Sequence, residues 1–163
     1  RRQSKKNRGI MILISHRGNI NTVNLERENT KSYIQEAIDL GYDVEIDVRY
    51  ADGKFWLGHD EPDYEVELEW LLERKNNLWI HCKNFLSLAR LINTNLRIFY
   101  HQDENHTIIG NTKAIWSHDI DDANHQSIIP LIDIDSVNSF KNFNQKYYGI
   151  CSDFIKQVGD KLN

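Results

Sequence analysis

Short apolar runs of strand length alternate along the chain with stretches of helical period. The strand-like runs are IMILIS (10–15), DVEIDVR (43–49), NLWIHC (77–82), LRIFY (96–100), AIWS (114–117), IIPLID (128–133) and YYGICS (147–152). These are seven strands, and no eighth run stands out. The clearest helix follows Asn29 and Thr30, good N-cap residues, and stops at Gly41, a good C′ residue. Tyr33, Ile34, Ala37 and Ile38 form its apolar stripe. A second helix follows Lys83, with Phe85, Leu88, Ala89 and Ile92 at helical spacing, and a third lies within 65–75 with Leu68, Leu71 and Leu72 inward. Strands alternating with helices predict a parallel α/β sheet or barrel.

The second half of the chain is sparser. Residues 118–127 separate two strands with little room for a helical crossover, which takes about ten to twelve residues. A full eight-fold barrel usually takes about 250 residues and trimmed ones about 200, and this chain has 163. The expected fold is therefore an α/β, TIM-type (β/α) barrel, trimmed or incomplete, with reduced helices in its second half. Residues 10–163 are expected to form a single domain. Residues 1–9, basic and mostly polar, read as a disordered tail or a tag remnant.

Composition narrows the class. Apolar residues make up 40% and charged residues 27%, with a net charge of −4, which is the profile of a globular domain and not of a nucleic-acid binder with its basic face. No apolar run approaches the ~20 residues of a membrane span, and no signal peptide is visible, so a cytoplasmic protein is expected. The two cysteines, Cys82 and Cys151, sit inside apolar runs. They are expected to be buried free thiols and are too few for a cysteine zinc site.

Alternate residues of a strand face opposite ways. In DVEIDVR, Val44, Ile46 and Val48 share one face and Glu45 and Asp47 the other. The pair reads either as a solvated acidic face of an edge strand or as two carboxylates held around a cation. His81 and Lys83 share a face of the third strand in the same way. Other strands end in His16-Arg17-Gly18, His101-Gln102-Asp103, His118-Asp119 and Ser152-Asp153. Titratable residues at the C-terminal ends of successive apolar strands describe the catalytic face of an α/β barrel.

The series His16-Arg17-Gly18, Glu28-Asn29-Thr30, Glu45-Ile46-Asp47-Val48, Asp52-Gly53 and His59-Asp60 resembles, in order and spacing, the N-terminal motifs of glycerophosphodiester phosphodiesterases. The resemblance covers residues 12–60. Beyond them it continues only at Lys83 and at 149–154, which looks like the family's last strand. It implies a phosphodiester hydrolase with a divalent metal ion, Mg²⁺, Ca²⁺ or Mn²⁺. His16 and His59 would be acid and base, Arg17 and Lys83 phosphate contacts, and Glu45 and Asp47 metal ligands, with Glu28 in support. The chemistry is coherent, because a phosphodiester transition state gathers negative charge that a cation, a guanidinium and an ammonium stabilise.

The sequence departs from that family in three ways. His81 stands where the family has a glutamate that completes the metal site. As a ligand it would tilt the site toward Mn²⁺ or another transition metal, and otherwise it would only hydrogen-bond nearby. The turn before His59 is shortened and carries Ala51 in place of a threonine. The short second half leaves the alcohol groups of the small-molecule diester open, with Trp116, Tyr100 and His118 as candidates for the pocket wall. Release of a cyclic phosphate by a lyase, or phosphate binding without catalysis, are the alternative activities. A barrel that has lost helices would expose apolar sheet, so a homo-oligomer is a further expectation.

Overall fold

All seven runs read from the sequence form strands, and all seven run parallel. In the computed structural model, which describes residues 10–163, they lie in the order β6 (Ile98–Phe99), β5 (Leu78–Cys82), β2 (Asp43–Ala51), β1 (Ile12–His16), β10 (Gly149–Ser152), β9 (Ser127–Pro130) and β8 (Ile115–Ser117). The tail assigned to 1–9 lies outside the described residues. Three further strands complete a mixed sheet of ten. β3 (Lys54–Leu57) and β4 (Tyr64–Val66) extend β2 as an antiparallel meander, and β7 (His106–Ile108) pairs antiparallel with β8.

The sheet does not close into a barrel. Its ends, β6 and β7, are joined by a single antiparallel bridge between Ile98 and Gly110, with Gly110 N–H donating to the Ile98 carbonyl at 2.7 Å. The reason is length. β6 has two residues and β7 three, too few for a ladder across the gap. As the short 118–127 segment predicts, β8 returns to β9 without a helix.

Five helices pack outside the sheet. In α1 (Lys31–Asp39) the Thr30 side chain caps Tyr33 N–H, and Ile34 and Ala37 are buried. α2 (Leu68–Glu73) lies within the expected 65–75, after Glu65 and Val66, which belong to β4. α3 (Phe85–Leu91) is rotated from the expected stripe. Ser87 and Leu91 are buried, while Phe85 is 72% and Ile92 60% exposed, and Ala89 faces out. Its rotation is set by Asn84, whose side-chain oxygen accepts from Ser87 N–H and Tyr50 N–H and whose amide donates to Tyr50 O. α4 (Ile134–Ser139) joins β9 to β10, and α5 (Ile155–Lys161) packs on β1 and β10. Among the described residues no helix is long and apolar enough to cross a membrane.

The parallel strands bury both faces. Val44, Ile46, Val48, Ile80 and Cys82 form a core with α1 and α3, while Ile14, Trp79, Phe99, Trp116, Ile128 and Cys151 form a second core on the other face. Both cysteines are buried and free, and burial pushes the Cys82 thiol up to about 12. On the second face Ile14 and Trp79 are each followed two residues later by His16 and His81, so polar groups sit directly above an apolar plug.

The meander returns toward this polar layer through Gly58. Its N–H donates to Asp47 O at 3.1 Å, its φ is +153°, and a Cβ there would lie 1.9 Å from the Glu61 carbonyl oxygen. Gly58→Ala is therefore expected to cost about 1–3 kcal/mol in urea denaturation and to shift His59 amide and ring resonances. An unchanged midpoint and spectrum would show that the turn tolerates a side chain.

Candidate active site

β2 pairs with β1 on one side and β5 on the other, so Glu45 and Asp47 do not lie on an edge. They are 3% and 1% exposed. Two buried carboxylates side by side are costly unless positive charge and hydrogen bonds meet them. Asp47 is well supplied. Arg17 Nε lies 3.0 Å from its Oδ2, Asn29 Nδ2 donates to the same oxygen at 3.0 Å, and Asp47 N–H donates to Asn29 Oδ1 at 3.1 Å. Arg17 and Asn29 reach it because both adopt left-handed backbone conformations, φ 57° and 59°, joined by the bond from Asn29 N–H to Arg17 O. Glu28 steadies this arrangement by accepting from Arg17 Nη1 at 3.3 Å and from Asn19 Nδ2 at 2.8 Å.

Glu45 is left less satisfied. Its Oε2 is buried with no hydrogen-bond partner among the described residues. Burial, and secondly the adjacent Asp47 carboxylate, push Glu45 up to about 7. Burial would raise Asp47 too, but its contacts with His81, Arg17 and Asn29 outweigh that and hold it well below the usual carboxylate range.

His81 completes the group. Its ring stacks on Phe99 at 4.9 Å and 9°, and its Nε2 lies 3.2 Å from the His101 carbonyl oxygen. A carbonyl can only accept, so Nε2 donates to it and Nδ1 is the nitrogen that meets Asp47, donating to the carboxylate when it carries a proton and offering its lone pair to a metal ion when it does not. That Nδ1 faces Asp47 Oδ1 at 3.5 Å, and ligand atoms of Glu45, Asp47 and His81 all lie within 4.8 Å of one another. These three groups could hold a cation between them. Two carboxylate oxygens and an imidazole nitrogen, its second nitrogen fixed by a backbone carbonyl, suit a divalent first-row metal ion.

His16 stands on the other side of Glu45, its Nε2 3.5 Å from Oε2. Its Nδ1 hydrogen-bonds Asp153 Oδ1 at 2.7 Å, and the same oxygen accepts from Asn19 Nδ2 at 2.8 Å. Burial opposes protonation of His16, but the Asp153 bond and the Glu45 charge outweigh it and raise its pKa. His59 is 40% exposed and hydrogen-bonds Asp60 through Nδ1 at 2.7 Å. Desolvation, then the charge of Arg17, lowers its pKa.

These groups open on a cavity of about 170 Å³ lined by His16, Arg17, Glu45, Asp47, His59 and His81. Phe99, Trp116 and His118 close its far wall, with Trp116 Nε1 donating to His118 Nε2 at 3.0 Å and the His118 ring stacked on His101 at 4.2 Å. Burial lowers the pKa of both His101 and His118. Lys83 and Tyr100 do not face this cavity. They line an adjoining open pocket of about 450 Å³. The larger hollow of about 610 Å³ beside Met11, Tyr42 and Phe143 holds none of these residues.

Asp153, Asn19 and Asn29 are the residues that sequence reasoning did not place in the site. Asp153 was visible as the polar end of the last strand. Asn19 gave no signal, since an asparagine in a loop is ordinary. No family model, curated protein or solved structure matches this chain.

Because the folded state favours protonated Glu45, the metal-free protein is expected to lose stability as pH rises from about 4.5 through about 7. The loss attributable to Glu45 is on the order of 3 kcal/mol. Urea denaturation in EDTA should show this decline in the natural chain and a flatter profile in Glu45→Gln. Parallel profiles would mean that Glu45 does not titrate in this range.

Proposed function

We propose that this protein is a metal-dependent phosphodiester hydrolase of the glycerophosphodiester phosphodiesterase type, built on a shortened (β/α) barrel left open between β6 and β7. The observation that carries the reading is the convergence of Glu45, Asp47 and His81 Nδ1 beside His16, itself held by Asp153. The motif series from His16 to His59 supports it, because five of its residues, His16, Arg17, Glu45, Asp47 and His59, line one cavity.

Glu45, Asp47 and His81 would hold the divalent ion, and the ion when bound supplies positive charge to the non-bridging phosphate oxygens. Arg17 adds a guanidinium at the cavity wall, fixed by Glu28 and Asp47 so that it need not reorganise as charge develops. Lys83, in the adjoining pocket, extends the positive field to the cavity's edge. In the reaction a hydroxyl oxygen bonds to phosphorus and the bond from phosphorus to the leaving alcohol oxygen breaks. One proton leaves the nucleophile and one joins the leaving oxygen. His16 and His59 divide that work, and Asp153 keeps His16 in the tautomer whose Nε2 faces the cavity.

His81 sets the metal preference. A neutral imidazole in place of a third carboxylate lowers the charge of the ligand set and favours Mn²⁺ over Mg²⁺ and Ca²⁺.

Turnover of bis(p-nitrophenyl) phosphate with Mn²⁺ tests the function. His16→Ala is expected to lower the rate about 10²–10⁴-fold with the circular dichroism spectrum unchanged. Phosphorus NMR on a glycerol diester should end at a phosphomonoester, whereas a persisting cyclic phosphate would assign a lyase. Absence of turnover with Mn²⁺, Mg²⁺ and Ca²⁺, in a protein that still binds glycerol phosphate, would make it a phosphate-binding module. His81→Glu should shift the preference from Mn²⁺ toward Mg²⁺ or Ca²⁺ in both calorimetric binding and rate. An unchanged metal order would remove His81 from the ligand set.

A further inference from the structure

The open pocket beside the catalytic cavity carries charge that the proposed chemistry leaves largely unused. The two hollows share His59, His81 and His101 as a common wall, so one molecule can occupy both. Arg49 and Lys83 line the open one, together with Tyr100 and Gln102. Arg49 donates from Nε to the Gly58 carbonyl at 3.1 Å and from Nη2 to the His59 carbonyl. These partners are neutral. They hold the guanidinium in place without compensating its charge.

Among the described residues the ion pairs of lysine and arginine are made by other side chains, and neither Arg49 nor Lys83 takes part in one. The carboxylate that faces the pocket, Asp60, is occupied by His59 Nδ1. Glu104, in the neighbouring loop, is engaged by Gln102 N–H and His101 Nδ1. The Tyr100 hydroxyl accepts from Gln102 Nε2 at 2.8 Å, which leaves its own O–H free to donate. A fixed guanidinium, an ammonium, a phenol donor and an amide around one volume form a receptor for an anion.

The catalytic cavity is smaller, about 170 Å³ against about 450 Å³. Beyond its catalytic groups it is walled by Phe99, Trp116, Pro130 and Ile132 with His101 and His118, and Arg17, which is paired with Glu28 and Asp47, is the one arginine or lysine in its lining. A small lobe with no spare cation beside a larger cationic one fits a diester with two unlike alcohols.

We infer that the pocket of Arg49, Lys83, Tyr100 and Gln102 is a second anion subsite, and that the substrate joins a small uncharged alcohol to one bearing an additional carboxylate or phosphate. The subsite stands as a binding site by its own geometry, while its place in a substrate rests on the phosphodiesterase reading.

Calorimetry at low salt, where exposed charges are least screened, compares glycerol 3-phosphate, 3-phosphoglycerate and propane-1,3-diol bisphosphate. The doubly anionic ligands are expected to bind roughly five- to tenfold more tightly than glycerol 3-phosphate, by about 1 kcal/mol. Gln102→Glu, at an exposed position, should abolish that gain. A gain for one doubly anionic ligand alone identifies the second group as carboxylate or as phosphate. Equal affinities for all three, or equal weakening of all three by Gln102→Glu, would overturn the subsite. Diesters of glycerol phosphate with ethanol and with glycolate separate the two claims. Turnover without charge preference leaves the hydrolase and removes the subsite. Selective bisphosphate binding with no turnover of any diester leaves the subsite and removes the hydrolase.

Discussion

Glu45 and Asp47 share a face of a strand with neighbours on both edges, so neither carboxylate can turn to water, and positive charge must reach them from inside the fold. Much of the surrounding architecture follows from that requirement. The loop after β1 puts Arg17 and Asn29 in left-handed conformations, which aims both side chains at Asp47. The meander is tied down by the bond from Gly58 N–H to Asp47 O. The backbone at His101 fixes which nitrogen of His81 faces the pair.

The compensation is uneven, and the unevenness is informative. Asp47 receives a guanidinium and an amide, while among the described residues Glu45 Oε2 has no hydrogen-bond partner, with His16 Nε2 3.5 Å away. A structural ion pair would have no reason to leave one carboxylate unsatisfied at the cost of desolvation. That free acceptor is the feature on which the proposed metal site rests. The two hollows differ in the same way. Arg17 is committed to carboxylates, whereas Arg49 is held by neutral carbonyls.

Much of this was legible in the residues. Short apolar runs located all seven parallel strands, because a strand buried on both faces needs nearly continuous apolar sequence. Alternation placed Glu45 with Asp47 and His81 with Lys83, and the motif order gathered His16, Arg17, Glu28 and His59 around the same pair. The meander strand β4 escaped, since Tyr64–Val66 is too short to carry a pattern and adjoins helical residues. The rotation of α3 escaped as well. It is set by the contact of Asn84 with Tyr50, thirty-four residues away.

The sequence by itself determined which residue types end each strand and which face of the strand they share, because both follow from the covalent geometry of an extended chain. Only the tertiary structure decided what those residues meet. Asp153 reaches His16 across 137 positions of chain. Lys83 and Tyr100 turn to the open pocket while Trp116 and His118 wall the smaller one. The ring of strands stays open where β6 and β7 are too short to pair. Such partnerships depend on how distant segments pack, and no local period encodes them.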